Sequence, residues 1–204
     1  DTLNSILKYT TDPISRNATP STALEYLFDM IEKHIFRPIP IFPPPNDFSE
    51  VAQFWIVKNW SHVQMVHKIL QCLLNDQKIF STLLNDEFVY NLINQLCTPD
   101  SNERKEIETE LKIIIKTFTN KRGYILRSIL SKTIAYLDGD AFLADSVGSY
   151  LQLFLEFFSS QPIIKPRYFL MFRTVFYPLY STNLAPHFEL PLQKLSSFFQ
   201  SRDP

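Results

Sequence analysis

Apolar residues recur along this chain at intervals of three and four, the spacing that gathers them on one face of an α-helix. Ala23, Tyr26, Leu27, Met30 and Ile31 make one such stripe, and Val63, Val66, Ile69, Leu70 and Leu73 make a second. Val89, Leu92, Ile93 and Leu96 repeat the pattern up to the turn CTPDSNER. Within that turn, Asp100 followed three residues later by Glu103 has the form of a capping box that opens a new helix. Ile107, Leu111, Ile114 and Phe118 supply that helix with its core face. A break from Asn120 to Arg122 ends it, and Tyr124, Ile125, Ile129 and Ile134 mark the next. Further helices are predicted over 150–158, 167–177 and 190–199. Each stripe is expected to face a core.

Short connections between successive amphipathic helices make antiparallel pairs. The predicted pair starts near Asp100, Asp140 and Pro186 are about forty residues apart, the period of HEAT or armadillo repeats. The fold class expected is therefore all-α, an α-solenoid of antiparallel helix pairs. Periodicity alone suits an irregular helical bundle equally well. Fourteen prolines punctuate the helices, and Pro38, Pro40, Pro43, Pro44 and Pro45 form a patch that cannot be helical. A proline-rich loop is predicted over 36–59, and the stretch from Ile35 to Trp60 is expected to be the longest irregular one.

A length of 204 residues with 45% hydrophobic and 14% aromatic content suffices to bury one core, so a single domain over 1–204 is expected. Twenty Lys and Arg against 21 Asp and Glu give a net charge of −1, which supplies no field to attract phosphate backbones or anionic lipid. Neither nucleic acid nor membrane is an expected partner. No N-terminal run resembles a signal peptide, and the apolar run 150–158 is too short to span a bilayer. Cys72 and Cys97 lack CxxC spacing and are expected to act as small buried hydrophobes, in keeping with a reduced cytoplasmic or nuclear setting.

Chemistry-bearing patterns are sparse. Three glycines and no GxGxxG or GxxxxGK[ST] string exclude the common dinucleotide and nucleoside triphosphate sites. His34, His62, His67 and His187 are scattered, and His62 and His67, five apart, do not share a face as HExxH ligands do. No catalytic metal or other cofactor is expected. Trp55 and Trp60 could anchor a partner, with core packing the plainer role. No Ser, His and Asp set can be defended as a triad. A surface that binds proteins is expected rather than an enzyme.

Four segments carry a resemblance. HIFRPIP, NWSHVQMVHKIL, NDEFVYNLINQLCTPDSNER and KRGYILR resemble, in the same order and at similar spacing, the B-prime family of regulatory subunits of protein phosphatase 2A. The resemblance implies a curved array of about eight HEAT-like repeats. This chain would be roughly the first half, the N-terminal part of a longer solenoid. It implies a non-catalytic subunit that docks on the phosphatase scaffold subunit, works with the catalytic subunit and selects substrates. The family's C-terminal repeats are those understood to touch the catalytic subunit. Substrates bearing a Leu-x-x-Ile-x-Glu motif would lie in a groove, with apolar pockets for Leu and Ile and basic side chains for Glu. Two other readings are a helical interaction scaffold unrelated to the phosphatase and, with less support, a helical enzyme.

The implied groove falls on Lys112, Ile115, Arg122, Gln152, Glu156, Lys165 and Tyr168. Where the family has His-Arg-Ile-Tyr, this chain has Lys112, Ile113, Ile114 and Ile115, and Arg122, beside Tyr124, keeps the arginine at the start of the following helix. Two pocket isoleucines become Gln152 and Glu156, and a Lys and His pair becomes Lys165 and Tyr168. Ile113 removes a planar fork that would hold a carboxylate, for which Lys112 offers only a point charge. Glu156 puts a negative charge beside an acidic motif. Weak binding of that motif is the expectation.

Overall fold

The computed structural model describes residues 2–39, 59–81, 83–140, 143 and 146–159, and all regular structure among them is helical. The chain divides into two compact units, Asp1–Ile125 and Leu126–Pro204. In the first unit lie α1 (Thr2–Thr11), α2 (Pro13–Asn17), α3 (Ser21–Ile35), α4 (Trp60–Leu74), α5 (Gln77–Phe80), α6 (Asp86–Gln95) and α7 (Ser101–Thr117). α8 (Arg122–Leu137) carries the chain into the second unit, where α9 (Val147–Ser159) follows. The predicted helices over 167–177 and 190–199, most of the proline-rich loop, Trp55 and His187 lie outside the described residues.

Local chemistry sets the helix ends. Asp12 accepts from the amides of Ile14 and Ser15 ahead of Pro13, whose fixed φ and missing N–H suit a first helical position. Asn85 accepts from Phe88 N at 2.7 Å and starts α6, with Asp86 and Glu87 in the positive first turn. Asp100 accepts from Asn102 N at 2.8 Å and starts α7, as its sequence signature predicts. α8 ends in a Schellman motif: Gly139 N donates to Tyr136 O, Asp140 N to Ala135 O, and Gly139 takes φ 105, a conformation a Cβ would strain.

Two layers of helices make the first unit. α4 lies between α1 and α7 in one layer, with α3 packed on α4 and α6 packed on α7 in the other. α4 and α7 begin about forty residues apart, the repeat length read from the sequence. α7 packs on both α4 and α6, and Asp100 stands at the turn between α6 and α7.

The stripes of α4, α6 and α7 are buried as predicted. Val66, Ile69, Leu70, Leu92, Ile93, Leu96, Ile107, Leu111 and Ile114 are wholly enclosed. Each such side chain contributes about 1.5–3 kcal/mol of burial. Two stripes differ. α3 buries Phe28, Ile31 and Ile35, while Tyr26 is 79% exposed and Ala23, Leu27 and Met30 line an open cavity of about 420 Å³ against Ile6 and Tyr9 of α1. The sequence pattern omits Phe28, whose ring meets Phe80 at 5.2 Å and Phe88 at 4.7 Å and ties α3 to α5 and α6. In α8 the core positions are Ile125, Leu126, Ile129, Leu130 and Thr133, and Ile134 is exposed. One residue is a turn of about 100°, enough to carry Ile134 off the buried face.

Candidate functional site

The first unit's densest polar chemistry lies where α4 meets α7. α7 presents Glu103, Glu106 and Glu110 at helical spacing, and α4 answers with Gln64, His67 and Gln71. Gln64 Nε2 and Gln71 Nε2 donate to the two oxygens of Glu106 at 3.2 and 2.8 Å. His67 Nδ1 is 2.8 Å from Glu110 Oε1, and His67 Nε2 is 3.9 Å from Glu103 Oε1. Glu103 accepts from Thr98 Oγ1 at 2.7 Å and pairs with Arg37, just past the end of α3. Arg37 also donates to His34 O at 3.0 Å. The carboxylate of Glu103, expected in a capping box, is thus engaged by Thr98 and Arg37.

His67, Glu103 and Glu110 are fully buried. Burial alone pulls the His67 imidazole down, but the carboxylates of Glu110 and Glu103 outweigh it and hold its pKa, ordinarily 6.5, up at about 10. Burial pushes the Glu110 carboxyl up, opposed by the charge of His67. An imidazole that stays protonated and sealed from water cannot take a proton from a substrate at neutral pH. The cluster therefore fastens α4 to α7 and holds the start of the proline-rich segment through Arg37. Its one sequence signal is a set of three acids on the inward side of α7, facing a histidine inside an apolar stripe.

Of the residues placed in a groove by resemblance, Lys112, Ile115 and Arg122 belong to the first unit and Gln152 and Glu156 to the second. Lys112 is half-buried and forms an ion pair with Glu108 one turn earlier on α7. Ile113 is half-buried, whereas Ile114 and Ile115 point into the core, Ile115 being 1% exposed. Arg122 folds back on α7, donating from Nε to Ile115 O and from Nη2 to Lys116 O at 3.1 Å. It closes the carbonyl end of α7, where a cation meets the negative pole of the helix dipole. That contact accounts for a positive side chain at the first position of α8. In the second unit, Gln152 and Glu156 are half-buried and one turn apart on α9. Lys165 and Tyr168 lie outside the described residues.

Other candidates resolve simply. Among the described residues no group of three or more His, Cys, Asp or Glu could hold a metal ion, and no helix is long and apolar enough to cross a membrane. Cys97 is buried, Cys72 is half-buried with its thiol pKa pushed up by burial, and neither is in a disulfide. Trp60 is half-buried, its ring 6.3 Å from that of His67.

Comparison with known proteins adds what the geometry does not. The family described as protein phosphatase 2A regulatory B subunit (B56 family) matches residues 1–204. The 56 kDa regulatory subunit alpha isoform of serine/threonine-protein phosphatase 2A from Homo sapiens is 24% identical over 75% of this chain and 33% of its own length. The regulatory subunit psrA of the same phosphatase from Dictyostelium discoideum is 27% identical over 57% of this chain and 20% of its own length. The chain thus spans about a third or less of the curated relatives it matches. The match bears out the resemblance carried by the four segments, and it extends through the residues beyond α9. With a family match over its whole length and an all-helical architecture, the chain belongs to the B56 family of protein phosphatase 2A regulatory B subunits.

Proposed function

We propose that this chain works as part of a non-catalytic regulatory subunit that docks on the protein phosphatase 2A scaffold subunit and selects substrates for the catalytic subunit, in the cytoplasm or the nucleus. The observation that carries the reading is the family match over residues 1–204. Stacked helices held by a buried ionic cluster support it, because such layers present a firm surface and keep their titratable groups out of reach of a substrate. The single solenoid over 1–204, continued in a longer protein, belongs to the same proposal.

Substrate choice by Leu-x-x-Ile-x-Glu motifs is reduced in this member. Gln152 and Glu156 would border the leucine with polar side chains, which takes away part of the apolar surface whose burial is worth about 1.5–3 kcal/mol for a full leucine pocket. Lys112 and Arg122, already engaged with Glu108 and with the end of α7, have less to offer a motif carboxylate. By resemblance, Ile115, Lys165 and Tyr168 belong to the same set of motif-facing positions, which in this member suits sequences other than that motif.

Affinity capture with the full-length protein tests the reading. The phosphatase scaffold subunit should be recovered from cell extract in amounts comparable to the bait. Recovery of other proteins without the scaffold would point instead to a helical interaction scaffold that has left the phosphatase.

A further inference from the structure

His34 and His62 stand at the two helix ends between which residues 36–59 run. His34 lies in the last turn of α3 and His62 in the first turn of α4, with ring centres 5.4 Å apart and planes inclined by 32°. A main-chain carbonyl can only accept, so the 2.8 Å contact between His34 Nδ1 and Met30 O places the proton on Nδ1. The lone pair is left on Nε2. Fixing the tautomer through a carbonyl in this way is how a ligating histidine is oriented toward a metal. His62 is exposed.

The separation suits a shared ligand. Two imidazoles bound to one tetrahedral cation through nitrogens about 2.0–2.1 Å from it have ring centres about 5 Å apart. Flanking charge does not oppose a cation, because Lys33 is held by Asp29 and Arg37 by Glu103. Borderline divalent ions favour imidazole nitrogen, whereas calcium and magnesium prefer oxygen donors.

We propose that His34 and His62 form a two-imidazole site for a borderline divalent cation of the zinc class, with water completing its coordination. Among the described residues no third His, Cys, Asp or Glu completes the set, so the affinity is that of an open site, well below a four-ligand structural zinc. Bound, the cation links the last turn of α3 to the first turn of α4. It thereby fixes both ends of the proline-rich segment.

Chelator-washed protein is titrated with Zn²⁺ alone by calorimetry, and with Co²⁺ followed by visible absorption. One cation should bind per chain near neutral pH, and His34→Ala or His62→Ala should each weaken it about tenfold or more. His62 is exposed, so His62→Ala should keep the helical circular dichroism signal while losing the ion. No saturable binding by the parent, or binding unchanged in both variants, would overturn the site and leave ring packing as the whole explanation of the pair.

Discussion

Replacing His67 by leucine should be among the most damaging single changes to the first unit. His67 donates the 2.8 Å bond to Glu110 and faces Glu103 at 3.9 Å, all three residues being sealed from water. Glu103 would keep Thr98 and Arg37, but Glu110 would be left as a buried carboxyl without its donor. Removing one partner of a buried pair costs about 3–5 kcal/mol, because the remaining charge is uncompensated, whereas exchanging both partners for apolar groups is often neutral. His67→Leu should therefore lose about 3–5 kcal/mol in urea unfolding followed by circular dichroism. The double variant His67→Leu with Glu110→Leu should return to within about 1 kcal/mol of the parent.

The same pair has a pH signature. The folded-state pKa of His67, about 10, lies above the free imidazole value, so its stabilisation is complete below about 6.5 and is lost as pH rises through about 10. The stability difference between parent and single variant should shrink over that window. A single variant within about 1 kcal/mol of the parent, or a double variant no better than the single, would refute the reasoning.

Three further outcomes follow from the geometry. Leu92→Ala, at a wholly enclosed position of α6, should cost about 2–5 kcal/mol in the same assay. Asn85→Ala, which removes the acceptor for Phe88 N at the start of α6, should cost about 1 kcal/mol, with Asn85→Asp largely sparing it. Peptides carrying Leu-x-x-Ile-x-Glu should give no saturable heat at about micromolar concentrations. Low-micromolar binding abolished by Arg122→Ala would show that the groove persists and that its side chain is recruited away from the end of α7.

The stripes of α4, α6 and α7 were legible because their apolar residues recur at helical spacing and are buried together, with His67, Glu103 and Glu110 as enclosed polar exceptions. α3 was less so. Leu24, Leu27, Phe28, Met30, Ile31 and Ile35 spread its apolar residues over more than one face, and only packing against Phe80 and Phe88 selects the side with Phe28. The role of Asp100 could be read from its own turn, since a cap acts within three residues. That of Glu103 could not, because its partner Arg37 is 66 residues away in the chain. The resemblance located Arg122 as a basic position, yet the carbonyls of Ile115 and Lys116 that engage it are exposed only because α7 ends where it does. Nothing in the sequence marks His67 as charged; that follows from two acids that meet it only after α4 and α7 pack.

Direct association with the phosphatase scaffold subunit is the measurement closest to the centre of this account. Purified scaffold subunit, titrated with the full-length protein that contains this chain and followed by sedimentation velocity, should give a one-to-one complex, and the phosphatase catalytic subunit should join it without being displaced. Two species that sediment independently at all concentrations, with the protein folded and helical, would contradict the claim that this B56 family member serves as a regulatory subunit.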